Sequence, residues 1–242
     1  MKILNLTDTH YSSELYNKET EFFNRIKENE SFDIIVHCGD IASIQEWFEE
    51  YLYLLSTSFR KTPIYIVYGN HDIWFSNSSF FNLQERHDIL TNICKKFSVN
   101  YLPSTPYIDK KNKILVTGID GWYIDKNVKT NDSTYLPQEI SYDATFHALR
   151  NRSYEQMLNA INVMSQYSDY KKVFASHFNF FQQKEFNDYW GDNQKYLDFL
   201  PDNSVYLFGH SHEQFDEVKE RNIRCINVGS KYNLEKYKVI EV

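Results

Sequence analysis

Five stretches of this chain carry side chains that hold cations or move protons. They are Asp8-Thr9-His10, Gly39-Asp40, Gly69-Asn70-His71-Asp72, His177 and Gly209-His210-Ser211-His212. An Asn amide oxygen, an imidazole and a carboxylate can each offer a lone pair to a hard or borderline cation, and the imidazole can also transfer a proton near neutral pH. One such stretch says little, because a lone Asp or Asn at a strand end is more often a helix N-cap or turn former. A lone His is more often a satisfied polar group. The repetition of one pattern, a strand and then metal-type ligands, is what points to a site.

The elements that must position these residues are legible around them. Ile64 to Tyr68 is a β-branched and aromatic run leading straight into Gly69. Lys2 to Thr7 delivers Asp8 and His10, which as residues i and i+2 of an extended segment face the same side. Asp33 to His37 precedes Gly39-Asp40, Lys172 to Ser176 precedes His177, and Ser204 to Phe208 precedes Gly209. Every polar cluster thus falls at the carboxyl end of a strand, the edge at which open α/β sheets bind ligands. Helices are expected over Glu19 to Glu28, with Phe22, Phe23 and Ile26 inward, and over Ile44 to Leu55, with Trp47, Tyr51 and Leu55 inward. Two more are expected over Phe81 to Phe97 and in a long segment ending near Ser165, with Tyr154, Leu158 and Ile161 on its buried face. Lys113 to Thr117 reads as a further strand, opening into Gly118-Ile119-Asp120-Gly121-Trp122-Tyr123, a glycine-punctuated turn with exposed aromatics. Asp125 to Glu139 reads as a polar loop, and Ile223 to Val228 and Lys236 to Val242 as strands closing a second sheet.

At 242 residues with 42% hydrophobic and 17% aromatic content, the chain can bury a large core. With no linker composition and no repeat, one domain spanning 1–242 is expected. The formal charge of -7 argues against nucleic-acid binding through a basic surface. It leaves a nucleotide substrate open, since bound divalent ions would add local positive charge. The apolar run before Asp8 is too short for a signal peptide, and no run approaches a membrane span, so a soluble, cytoplasmic protein is expected. Three cysteines, Cys38, Cys94 and Cys225, lack metal-type spacing and read as reduced core thiols.

The five stretches, in this order and over about 205 residues, resemble the signature of the calcineurin-like metallophosphoesterase superfamily. The resemblance implies a four-layer αββα sandwich of the α/β class: two mixed sheets face to face, helices outside, and a dimetal site on loops at one edge. By the same resemblance Asp8, His10 and His212 hold one divalent ion, Asn70, His177 and His210 hold the other, and Asp40 bridges them. The metals would be two of Mn, Fe, Zn, Ni or Mg. His71 would lie beside them without binding and serve as general acid. The implied reaction is hydrolysis of a phosphoric ester by a water whose pKa two bound cations lower, with His71 protonating the departing oxygen.

Within the superfamily, protein phosphatases extend the second motif to Gly-Asp-x-x-Asp-Arg-Gly. Here Gly39-Asp40-Ile41-Ala42-Ser43-Ile44-Gln45 has neither that Asp nor that Arg, which favours a phosphodiester over a phosphoprotein. Two other readings are a DNA- or RNA-processing nuclease of the same superfamily and a non-catalytic metal-binding scaffold. The intact ligand positions count against the scaffold, and the little chain left over beyond a sandwich counts against the nuclease. His37, His87 and His147 read as ordinary polar or packing residues. Trp74, Phe75, Trp122, Tyr123, Phe178, Phe180 and Trp190 gather near the expected mouth, where stacking a base competes with core filling, the commoner role in so aromatic a chain. Arg150 and Arg152 read equally as phosphate contacts or as an exposed helix face.

Overall fold

The structure is a computed structural model that describes residues 1–73, 82–122, 142–181, 194–229 and 236–242. Its strands sort into two mixed sheets. In the first, β1 (Lys2–Leu6), β2 (Ile34–His37), β3 (Ile64–Ile66) and β4 (Val99–Tyr101) run parallel, and β11 (Lys238–Glu241) lies antiparallel against β1. In the second, β6 (Ile114–Gly118), β7 (Lys171–Ala175), β8 (Val205–Leu207) and β10 (Ile223–Val228) are parallel. Its edges are β5 (Tyr107–Asp109) and β9 (Gln214–Lys219), both antiparallel to their neighbours.

The period-2 alternation of each strand builds the layers. Ile3, Ile34, Val36 and Tyr65 of the first sheet meet Ile114, Val116, Val173 and Val205 of the second. The residues between them, such as Leu4, Ile35 and Ile66, face α1 (Tyr16–Asn29), α2 (Gln45–Ser58), the one-turn α3 (Asn70–Ile73) and α4 (Leu83–Lys96). On the far side Leu115, Phe174 and Tyr206 face α5 (Tyr142–Gln166) and α6 (Gln194–Asp198). Both faces of each sheet are therefore covered, as parallel strands require. The result is the expected αββα order. No helix among the described residues is long and apolar enough to cross a membrane.

Several expectations need correcting. Tyr154 and Leu158 are 52% and 49% exposed, and α5 instead docks through Leu149, Ser153, Gln156, Met157, Ala160 and Met164. That face was missed because it includes two polar residues whose buried partners lie elsewhere in the chain: Ser153 Oγ accepts the Trp122 N–H, and Gln156 bonds to Asp120. The two tail strands do not share a sheet. Pairing of β11 with β1 covers the first sheet's edge and puts Ile240 between the layers, whereas β10 belongs to the second sheet. β9 was not expected at all, since its polar residues carry no alternation and only the ladder to β10 defines it. Trp122 is buried against Phe178, not exposed. Phe178 and Phe180 are likewise core. Trp74, Phe75, Tyr123, Trp190 and the expected loop from Asp125 to Glu139 lie outside the described residues.

α4 starts at an N-cap, the Asn82 side chain accepting the Gln84 and Glu85 N–H groups. The helix also buries His87 against the stacked rings of Tyr68 and Tyr101, with neither ring nitrogen hydrogen-bonded among the described residues. Burial, reinforced by Arg152, pushes this imidazole down to about 3. The fold therefore holds the neutral ring, and the stability it contributes is intact above the unfolded value of about 6.5 and is lost as pH falls below it. His87→Phe, which removes no hydrogen bond, should be more stable than the native chain by a margin that grows by about 2 kcal/mol between pH 8 and pH 5. Urea unfolding at the two pH values checks this, and a margin that does not change with pH would contradict it.

Candidate metal centre

The carboxyl ends of β1, β2, β3, β7 and β8 meet at one edge of the two sheets, and the turns beyond them carry the seven predicted ligand positions. These turns are conformationally costly. Asp8, His10, Asp40, His210 and His212 all have positive φ, between 45° and 67°. For residues with a Cβ this costs on the order of 1 kcal/mol or more each and persists only when the surroundings impose it. Gly39 also has positive φ, and a Cβ there would lie 2.7 Å from the Gly69 nitrogen. A Cβ on Gly69 would fall 2.1 Å from an Asp40 carboxylate oxygen, so both turns need glycine for close approach.

Backbone bonds lock the turns together. Asp8 N–H donates to Gly39 O and His10 N–H to Asp40 O, while His210 N–H donates to the Asp8 carboxylate at 2.9 Å. Thr7 Oγ1 donates to Asp8 Oδ2 at 2.6 Å. Asp72, a possible ligand by type, is instead a buried clip: its oxygens accept the N–H groups of Asp40, Ile41, Ala42 and Gly69. Burial and the nearby Asp40 push Asp72 up to about 7, against the pull of these four donors. His37 accepts the Gly39 N–H on Nδ1, so its Nε2 donates to Thr9 Oγ1 at 2.8 Å. Burial pushes it down to about 3, and it acts as a neutral strut under the first turn.

What converges is two groups with one member in common. Asp8, His10, Asp40 and His212 offer ligand atoms within 4.8 Å of one another, as do Asp40, His177 and His210. Asn70 Oδ1 lies 3.1 Å from His177 Nε2, which puts it with the second group. Asp40 Oδ2 is 3.6 Å from His10 Nε2, and its Oδ1 is 3.4 Å from His177 Nε2. His71 belongs to neither group. Its ring stands edge-on to His10 at 4.7 Å, its N–H donates to Asp40 Oδ1, and its Nδ1 is 2.8 Å from Ser43 Oγ.

The donor set fits divalent cations. The Nε2 atoms of His10 and His212 are 3.1 Å apart beside two carboxylates, an arrangement that needs a proton or a cation among its lone pairs. The charges respond accordingly: burial opposes ionisation of Asp40, yet His177 and the neighbouring imidazoles hold it well below the carboxylate range. Burial likewise opposes a charged His177, but Asp40 draws it up to about 9. His177 Nδ1 carries the proton it donates to the Cys38 carbonyl at 2.8 Å, which directs Nε2 into the site. Burial pushes His10 down to about 4 and His210 to about 3, so both present neutral rings.

The family model described as "Calcineurin-like phosphoesterase" matches residues 1–214, a span that includes every member of these groups. The chain belongs to the calcineurin-like phosphoesterase family. It is therefore a metal-dependent phosphoric ester hydrolase, with two candidate ligand clusters sharing Asp40. Among solved structures, phosphopantetheinyl hydrolase (PptH) from Mycobacterium tuberculosis has this phosphoesterase fold, with a TM-score of 0.68 and 17% identity over 97% of this chain and 90% of that one. NAD nucleotidase (NadN) from Haemophilus influenzae scores 0.49 at 14% identity, over 96% of this chain and 41% of that one. The Escherichia coli phosphoesterase Yfce scores 0.43 at 15% identity, over 100% and 88%. No curated protein matches the chain in sequence.

For this calcineurin-like phosphoesterase, sequence reasoning brought out every member of the two clusters but not what holds them. By sequence Asp72 reads as one more residue of ligand type, His37 as an ordinary polar or packing residue, and Asp120 only as part of a glycine-punctuated turn. Signals were available for two of these: Asp72 follows the Asn-His pair directly, and a His two residues before Gly39 is close enough to cap that turn.

Proposed function

We propose that this chain hydrolyses phosphodiesters at a two-ion centre. Asp8, His10 and His212 would hold one divalent ion, Asn70, His177 and His210 the other, Asp40 both, and His71 would be the general acid. The observation that carries the reading is the division of Asp40's two oxygens, Oδ2 toward His10 and Oδ1 toward His177. When bound, the two ions would lower the pKa of water and offset the charge of the phosphoryl oxygens. The chain's own residues do the rest. The His71 N–H bond to Asp40 fixes the ring's backbone against the shared ligand, and Ser43 Oγ at Nδ1 sets the ring's orientation. With Ser43 donating, Nε2 carries the proton that passes to the leaving oxygen. Buried rings of Phe178 and Trp122 back the His177 and His210 side and keep bulk water from it.

Preference for diesters is supported by the second motif, where Ser43 and Ile44 stand in place of the Asp-Arg of protein phosphatases. With Mn²⁺ added, kcat/KM should be severalfold higher for bis-p-nitrophenyl phosphate than for p-nitrophenyl phosphate. A clear monoester preference, accompanied by phosphopeptide turnover, would reverse the assignment.

A further inference from the structure

We infer that Asp120, which lies outside the ligand pattern, is a positioning residue that sets the Asn70–His177 side of the centre and leaves the Asp8–His10–His212 side alone. The inference rests on the two-ion reading above. Asp120 follows β6, and it is hydrogen-bonded to the ligand turns of both sheets. Its Oδ1 accepts the N–H of Tyr68, two residues before Asn70, at 2.9 Å. Its backbone carbonyl accepts the N–H of His177 at 3.1 Å. One residue thus fixes the ends of two segments that come from opposite sheets, and these are the segments whose Asn70 Oδ1 and His177 Nε2 approach to 3.1 Å.

Asp120 is itself held from behind. Its Oδ2 accepts the Tyr101 hydroxyl at 2.5 Å and the Gln156 amide at 2.9 Å, and its N–H donates to Gln156 Oε1 at 3.0 Å. Tyr101, Asp120 and Gln156 are all buried, and Gln156 Nε2 also donates to the Tyr101 hydroxyl at 2.7 Å. Burying a carboxylate is costly, and three side-chain and backbone donors aimed at one carboxylate are what make it tolerable. A core that needed only to pack would fill this place with an aliphatic side chain. The other ligand group is wired differently: Asp8 and His10 bond through their backbones to Gly39 and Asp40, not to residue 120.

The test titrates metal-free protein with MnCl₂, following affinities by calorimetry and the spin-coupled ion pair by electron paramagnetic resonance. Asp120→Asn keeps the shape but removes the charge and one acceptor. It should raise the dissociation constant of one Mn²⁺ by about 10–100-fold and leave the other unchanged, with the coupled signal returning at saturating Mn²⁺. Tyr101→Phe, which removes a single bond to Oδ2, should shift the same ion less, and it carries the test if Asp120→Asn fails to fold. Ile26→Ala, a cavity in the core under α1, should lower the unfolding temperature without moving either constant. Native-like affinities in Asp120→Asn, equal weakening of both ions, or an equal effect from Ile26→Ala would overturn the positioning role. If the native chain binds two ions, His177→Gln loses one and Asp120→Asn binds both with native affinity, only this inference fails. Fewer than two ions in the native chain would overturn the two-ion reading and this inference with it.

Discussion

Asp40→Asn should empty the centre of metal and abolish turnover while the fold survives. Among the described residues Asp40 is the only one common to both candidate groups, so removing its charge should weaken two sites at once. Asn is the better substitution here, because it tolerates the positive φ of 54° at this position more readily than Ala does. The loss in kcat/KM should exceed the roughly 10–100-fold typical of residues that only support a ligand. Stability should change little, since the turn remains clipped by Asp72 through the N–H groups of residues 40, 41 and 42. With metal removed from both, His177 should titrate lower in the mutant than in the native chain, because Asp40 is the main group that raises it. Metal analysis is decisive. Two ions retained per mutant chain would refute the bridging role.

His71→Gln should keep both ions and lose activity in proportion to how strongly the leaving oxygen needs a proton. General acid catalysis contributes about 10²–10⁴-fold where the leaving group is basic. The loss should therefore reach that range for an ester with an alkyl or ribose leaving group and stay small for a nitrophenyl ester, whose anion departs unaided. His210→Gln should instead lose metal and lose activity on both esters alike, because a ligand contributes to every step. The alternative role for His71 is purely structural, through its ring contact with His10 and its N–H bond to Asp40. That role predicts losses independent of the leaving group. Equal losses on the two esters for His71→Gln, with both ions present, would remove His71 from the chemistry and leave it as a support.

The candidate ligand positions were legible because each sits at the end of a short apolar strand, where the change from β-branched residues to Gly, Asp, Asn and His is abrupt. Lys2–Leu6, Ile34–His37 and Ile64–Ile66 are strands for the reason the sequence suggests, with alternate residues packed to the sheet interior and to the helices. The face of α5 was illegible for the opposite reason. Ser153 and Gln156 look solvent-facing by type, and only Trp122 and Asp120, more than 30 residues earlier, make their burial favourable. β9 shows the same limit, since a strand of Gln, Phe, Asp, Glu, Val and Lys exists through its hydrogen bonds to Ile223–Val228 and through no pattern of its own.

By itself the sequence determined the kinds of candidate ligand atom, their order along the chain, and the strands that bring them to one edge, because side-chain chemistry and two-residue alternation are local properties. Only the tertiary structure decided how those atoms are shared. That Asp40 turns one oxygen to each group, that Asp72 clips a turn where its type would allow it to bind metal, and that Asp120 ties Tyr68 to His177 all depend on contacts between residues tens of positions apart. The physical reason is that a hydrogen bond and a shared ligand are relations between partners. A carboxylate reads the same along the chain whether four N–H groups or two imidazoles will face it after folding.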